Sequence, residues 1–338
     1  MISVSMLTGF LGSGKTTLLG HVLTHPDFAR TAVIINEFGE IGLDHELVTR
    51  SDDTYVELST GCLCCKLRSD LAETLADMLR RRDEGTLPAF ERIVIETSGL
   101  ADPAPILQTL MTDAALAERV VLGAVITTVD SVNGLQTLAH EPTSEKQVAV
   151  ADRLVMTKSD LAGQNDAALR TRLAAINPHA TVLSAEHGRI NPRLLLEMSP
   201  QDAIPRLRDL AASRENAAQG GHAHAHDSEI MSFVLLREQP VRAVTLALFL
   251  ETLAEHCGSD LLRMKGIINV AESPQRPAVI HGVQHVFHAP AWLARWPSED
   301  RRSRIVFIGR RLSAAWTRAL LEALDAEVAE ASTHVVEA

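Results

Sequence analysis

The chain has 338 residues, 46% of them hydrophobic and 22% charged, with a formal net charge of −11. That acidic excess excludes a broad nucleic-acid or anionic-membrane surface, because phosphate-rich partners demand a basic footprint. No apolar run approaches the ~20 residues of a bilayer helix and no basic stretch precedes an apolar core as in a signal peptide, so a cytosolic chain of about two domains is expected.

The first element is a short apolar strand, Ile2 to Leu7, and Thr17-Leu18-Leu19 onward reads as a helix. Between them Gly9-Phe10-Leu11-Gly12-Ser13-Gly14-Lys15-Thr16 satisfies G-x-x-x-x-G-K-[ST], the loop that cradles nucleotide phosphates. Gly9, Gly12, Ser13 and Gly14 let backbone N–H groups turn inward, and the helix N-terminus, Thr17 included, adds positive potential. Lys15 is expected to reach the β/γ-phosphates and the Thr16 hydroxyl to bind Mg²⁺.

Thr31 to Asn36 is a second strand, leading into the acidic, glycine-punctuated stretch Glu37-Phe38-Gly39-Glu40-Ile41-Gly42-Leu43-Asp44. A loop here often senses γ-phosphate and Mg²⁺ in P-loop GTPases. Glu37, Glu40 and Asp44 are therefore candidates for a metal ligand or for orienting the attacking water; a solvated acidic turn is the alternative. Tyr55 to Leu58 is a short strand before Ser59-Thr60-Gly61-Cys62-Leu63-Cys64-Cys65. Thiolates are soft ligands suited to Zn²⁺ and Cu⁺, and three in four positions leave a fourth ligand to come from elsewhere or from water. Such an open sphere suits a metal that is handed on, whereas structural zinc is closed by four ligands. A redox role for the adjacent pair is the rival reading.

Lys66 to Arg82 reads as an amphipathic helix. Glu91 to Glu96 is a buried-type strand ending in an acid, before Thr97-Ser98-Gly99. A carboxylate at that strand tip beside the P-loop is where the Mg²⁺-associated acid of a P-loop enzyme belongs. Glu96 takes that role through a water, and Gly99 brings its N–H close to the γ-phosphate. Val120 to Asp130 is a further strand and Ser144 to Ala151 a helix. Arg153 to Met156 is a strand opening into Thr157-Lys158-Ser159-Asp160. In N-K-x-D the Asp accepts from the guanine edge and the Lys stem covers the base plane. Asp160 and Lys158 supply both, and Thr157 stands where Asn is usual. Asn165 to Ile176 is a helix, Ala180 to Leu183 a strand, and Ser184-Ala185 a base-capping turn. Strands alternating with helices imply an α/β fold, a mainly parallel sheet covered on both faces, whose ligands gather at the strands' carboxyl ends.

Residues 211–228 are rich in Ala, Gly and polar residues and hold His222, His224 and His226. They read as a flexible linker with a loose metal-collecting role. The remainder reads as a compact α+β domain: strands at 230–236, 266–270, 278–281, 283–288 and 304–308, and helices at 243–256 and from Ser313. His281, His285 and His288 read as a solvated strand face ahead of a metal cluster, Trp292, Trp296 and Trp316 as core or domain-packing residues, and Cys257 as structural.

Gly9–Thr16, Asn36-Glu37-Phe38-Gly39, Gly61-Cys62-Leu63-Cys64-Cys65, Glu96-Thr97-Ser98-Gly99 and Thr157-Lys158-Ser159-Asp160 together resemble the CobW-type GTPases, P-loop metal chaperones related to the urease and hydrogenase nickel-insertion GTPases. The resemblance extends to Ser303–Gly309 near the end of the chain. It implies a GTPase domain over residues 1–210, the linker, and a CobW C-terminal-type domain over 229–338. It also implies GTP hydrolysis to GDP with Mg²⁺. The residues themselves put Lys15, Glu37, Glu40 and Glu96 in catalysis, and hydrolysis is expected to be slow without a partner because spacing offers no catalytic arginine. Zn²⁺ or Co²⁺ would bind at Cys62, Cys64 and Cys65 with Glu37 supporting, for delivery to a client metalloprotein. A GTP-dependent homodimer follows from the same resemblance. A small-molecule P-loop kinase, a passive metal store and a thiol redox regulator are the alternatives.

Overall fold

The computed structural model describes residues 1–36, 55–57, 64–161, 165–197 and 230–336, with side chains at 36, 55–57, 64–70, 165 and 332–336 left aside. The chain divides into two units, Met1–Met198 and Ser199–Ala338; the expected domain boundaries at 210 and 229 lie outside the described residues.

The first unit is built on a seven-stranded sheet of β1 (Ile2–Gly9), β2 (Thr31–Asn36), β3 (Tyr55–Glu57), β4 (Arg92–Thr97), β5 (Val120–Asp130), β6 (Arg153–Thr157) and β7 (Thr181–Ala185). Their order is β3-β2-β4-β1-β5-β6-β7, and every pairing is parallel. Parallel neighbours need helical crossovers, which cover both faces and force apolar strands. Val4, Met6, Ile34, Ile93, Ile95, Val125 and Leu154 are accordingly buried.

Helix α1 (Lys15–Leu23) lays Leu18, Leu19, Val22 and Leu23 against Leu7, Val94, Ile126 and Val155 of the sheet. The helices that follow are α2 (Cys64–Asp83), α3 (Ala104–Thr112), α4 (Gly134–His140), α5 (Pro142–Val150), α6 (Asn165–Ile176) and α7 (Pro192–Leu196). Sequence reading passes over α3, α4 and α7. The start of α3 carries a detectable signal, because Asp102 Oδ1 accepts from the Ala104 amide at 3.0 Å, an acceptor placed ahead of a helix. Helix α2 begins two residues before the expected Lys66. Cys64 and Cys65 are therefore its first residues rather than part of a loop.

The second unit carries β8 (Met231–Arg237), β9 (Leu261–Ile268), β10 (Ala278–Val283), β11 (Val286–Phe287), β12 (Ala291–Trp292) and β13 (Ser303–Gly309). The order is β11-β10-β9-β13-β8, with β12 on β10, all antiparallel. Helices α8 (Ala243–Cys257) and α9 (Ala314–Val336) close one face. Phe249, Leu253 and Leu321 pack there with Met264, Ile280, Ile305 and Phe307. Strand β9 starts at Leu261, five residues before the expected Gly266. The expected strand over 283–288 shrinks to Val286–Phe287, since Gln284 turns at φ +55°. Trp292 and Trp316 are 45% and 38% exposed, which corrects their assignment to the core; Trp296 donates its indole N–H to the Pro274 carbonyl at 2.8 Å. Cys257 packs beside the core, and burial, then nearby Asp260, pushes its thiol pKa up. No helix among the described residues is long and apolar enough to cross a membrane.

Candidate nucleotide site

The site forms where β1, β4, β5 and β6 end side by side, so that four successive loops share one rim. Strand β1 stops at Gly9 with φ +142°, and a Cβ there would lie 2.3 Å from Thr128 Oγ1 and 2.5 Å from the Thr128 carbonyl oxygen. Only glycine admits both the angle and the approach. The loop closes with the Ser13 amide donating to the Phe10 carbonyl at 3.1 Å, and the Ser13 and Thr128 hydroxyls meet at 2.7 Å. Gly14, at φ +88°, caps α1. Lys15 folds back over its own loop, donating to the Gly9 carbonyl at 3.0 Å and the Phe10 carbonyl at 3.3 Å. A phosphate entering the loop would offer that ammonium a charged partner in place of two neutral carbonyls, the stronger kind of hydrogen bond.

Thr16 Oγ1 donates to Glu96 Oε1 at 2.7 Å, and Glu96 is 5% exposed. A hydroxyl and a carboxylate brought together at the root of a phosphate loop are a hard-oxygen pair of the kind Mg²⁺ takes, so the residues present fit that ion. Gly99 packs so tightly on the P-loop that a Cβ would stand 2.7 Å from the Leu11 amide nitrogen. Buried Gln147 of α5 donates its amide to the Gly99 and Ala101 carbonyls, both at 3.2 Å. Lys146 pairs with Asp102 at 2.8 Å. These braces escape sequence reading, because nothing marks one buried glutamine in a helix as a loop holder.

The loop after β6 is tied to the P-loop twice. Thr157 Oγ1 donates to the Ser13 carbonyl at 2.7 Å, so the hydroxyl joins the two loops directly. Lys158, at φ +55°, donates to the Gly12 carbonyl at 2.8 Å and to Asp130 at 2.7 Å. Burial acts to raise the Asp130 pKa, and hydrogen bonds from Lys158, Val132 and Asn133 outweigh it, leaving the carboxyl below the ordinary range. Asp160 sits in the turn Ser159–Leu161 with its side chain 29% exposed and 3.7 Å from the His187 ring. Ser184 is exposed and accepts from Arg170 at 2.6 Å. The turn after it, with His187 and Gly188 at φ +50° and +74°, approaches the first turn of α1. A Cβ on Gly188 would lie 2.8 Å from the Thr17 carbonyl oxygen.

The structure thus gathers Gly9, Gly12, Ser13, Gly14, Lys15, Thr16, Thr17, Glu96, Gly99, Thr157 and Lys158 on one rim, with Asp160 beside His187 of the turn after Ser184. Glu37, Glu40, Asp44, Cys62, His222, His224 and His226 lie outside the described residues. For Cys64 and Cys65 the backbone is described, as the first two residues of α2. Among the described residues no three His, Cys, Asp or Glu side chains form a metal-holding group.

Residues 3–184 match the CobW/HypB/UreG nucleotide-binding domain, and residues 230–325 match the cobalamin synthesis protein cobW C-terminal domain. The chain is 35% identical to the zinc chaperone YjiA of Escherichia coli, over 96% of this chain and 98% of YjiA. It is 30% identical to the zinc chaperone CobW of a Sinorhizobium species, over 96% and 97%. The solved structure of Zn(II)-bound YjiA GTPase from E. coli aligns at a TM-score of 0.68 with 31% identity, over 96% of this chain and 98% of that one. With the phosphate loop, the carboxylate at its root and the tied base-side loop already in view, these matches establish that the chain belongs to the CobW/HypB/UreG family.

Proposed function

We propose that the chain is a GTP-hydrolysing metallochaperone that binds Zn²⁺, with Co²⁺ the alternative, at Cys62, Cys64 and Cys65, and releases it to a client metalloprotein under nucleotide control. The observation that carries the reading is the contact of Thr16 with Glu96 beside a lysine-bearing phosphate loop. Lys15 exchanges the Gly9 and Phe10 carbonyls for phosphate oxygens, and the P-loop amides cradle the rest. Asp160 accepts from the guanine edge, the Lys158 stem covers the base, and Thr157 keeps both in register with the loop. Glu37 and Glu40 orient the attacking water and Glu37 supports the cargo metal. Thr16 and Glu96 would hold Mg²⁺, which would neutralise charge on the phosphates.

Hydrolysis without a partner is slow. Leu11 and Leu100, each 57% exposed at the rim, are apolar groups that a GTP-dependent second copy would cover. His222, His224 and His226 collect metal for the cysteine site.

Nucleotide gating means that GTP and metal tighten each other by one factor. The test is a competition titration of Zn²⁺ and Co²⁺ against a chelator, with Mg²⁺ plus a GTP analogue and with Mg²⁺ plus GDP, repeated after Cys64→Ser and Cys65→Ser. Tighter binding with the analogue, lost in the cysteine variant, supports a gated carrier. Equal affinity in both nucleotide states rules it out in favour of a passive store. Acceptor-dependent phosphate transfer would identify a kinase.

A further inference from the structure

Lys158 is a long, flexible cation whose backbone and tip are both fixed by the protein itself. Its backbone is left-handed at φ +55°, and its ammonium is shared between the Gly12 carbonyl at 2.8 Å and Asp130 Oδ2 at 2.7 Å. Asp130, at the end of β5, has its side chain only 12% exposed. Its Oδ1 accepts from the Val132 amide at 2.7 Å and the Asn133 amide at 3.3 Å, and its Oδ2 from the Asn133 side-chain amide at 3.2 Å. The carboxylate therefore belongs to a rigid turn, and from that turn it grips the lysine tip. A neutral acceptor would hold the tip less firmly, since a hydrogen bond between ionised partners is the stronger kind. A lysine stem left free would lose its rotamer freedom only on binding, at the expense of affinity; one already held has lost it beforehand.

We propose that Asp130 is a positioning residue for base binding: it anchors the Lys158 tip so that the stem is laid out as one wall of the base site while Gly12 is held in the phosphate loop. This rests on the reading of the rim as a guanine-nucleotide site. Asp130 touches no base edge, so its removal weakens every base that lies against the stem, whereas Asp160, which reads the edge, discriminates among them.

The experiment uses the full chain with Mg²⁺ and fluorescent GDP, IDP and ADP. IDP lacks the exocyclic amine that a carboxylate reads. Asp130→Asn keeps the shape and the Oδ1 cap but turns an amide donor toward the ammonium. It is expected to raise the Kd of GDP and IDP by the same factor, about three- to tenfold for ordering one long side chain on binding. The KM for GTP should rise likewise, with kcat within about twofold. Lys158→Met, which keeps the stem and drops the ammonium, should cost the same factor, and the double variant should cost no more than either. A GDP affinity within about twofold of wild type in Asp130→Asn overturns the proposal. So does a changed GDP-to-IDP ratio, or a double variant in which the losses multiply. Thermal melting reports whether Asp130→Asn folds; if it does not, Lys158→Met carries the test, and unchanged GDP binding there overturns the proposal. Wild-type protein that binds ADP as well as GDP removes the guanine reading itself, before any substitution is made, and the proposal with it.

Discussion

The two sheets of this chain place their buried polar groups differently. In the all-parallel first sheet they crowd the strand ends: Thr8, Thr97 and Thr128 are at most 1% exposed and Glu96 and Thr157 are 5% exposed. They bond one another and the phosphate loop, as in the 2.8 Å contact of Thr97 with Thr8. In the antiparallel second unit, among the described charged pairs Arg237 of β8 fastens to Asp325 of α9 at 2.6 Å, and Arg304 pairs at 3.3 Å with Asp300 just ahead of its own strand. A parallel sheet brings every carboxyl end to one side, so loops far apart in sequence can build one site. An antiparallel sheet sends alternate ends to opposite sides and gathers no such rim. Burying polar groups costs stability unless they are paired, and the first sheet accepts that cost where the chemistry is expected.

Substitutions test the contrast most sharply at the rim. Lys15→Ala should lower nucleotide hydrolysis by about a hundred- to a thousandfold, the usual loss for a group aimed at developing charge, with little change in melting temperature; retained turnover would sink a catalytic rim. Glu96→Gln, isosteric and still able to accept from Thr16, should lower Mg²⁺-dependent hydrolysis by about ten- to a hundredfold, measured across a Mg²⁺ titration.

In the second unit the effects should fall on stability alone. A Cβ on Gly309 would meet the Asp260 carbonyl oxygen at 2.2 Å, so Gly309→Ala should cost about 1–3 kcal/mol by overpacking. Calorimetry should register that loss while GDP affinity stays within about twofold; a larger change would join the two units functionally and break the comparison. The smallest effect belongs to Asp300. Burial opposes its charged form, but hydrogen bonds from Arg302 and the charges of Arg304 and Arg302 win, and its pKa is lowered. A depressed folded-state pKa stabilises above the unfolded value of about 3.9 and loses that contribution as pH falls through the folded value. Asp300→Asn should therefore lower stability near neutrality and lose that effect at strongly acid pH, read from melts across the acid range.

What the sequence discloses here depends on how local the cause is. The phosphate loop is eight contiguous residues whose glycines and lysine announce their geometry, and Glu96 is legible because an apolar run ends in an acid. The tie from Thr157 to Ser13 spans 144 positions, and Gln147 reaches Gly99 across 48. No periodicity carries such information, so the sequence marks Thr157 only as a departure while the structure gives its hydroxyl a task. Helix α3 lies behind Pro103 with Pro105 in its first turn, residues that mask a start which Asp102 nonetheless signals. Trp292 and Trp316 mislead for the opposite reason: large aromatic residues are assumed buried, yet these stand in solvent.

The central strand of the first sheet also sets an order of assembly. Among the described residues strand β1 pairs only with β4, which begins at Arg92, and with β5, which begins at Val120. On a ribosome adding ~5–20 residues per second, roughly 5–20 s separate the synthesis of Gly9 from that of Val120. Until β4 is made the phosphate-binding segment has no paired strand, and it lacks its second partner until β5 follows; pairings of such long sequence separation are slow to form even once all partners exist. Nucleotide therefore cannot guide the earliest folding of this protein; it can only trap the unit after β5 has emerged.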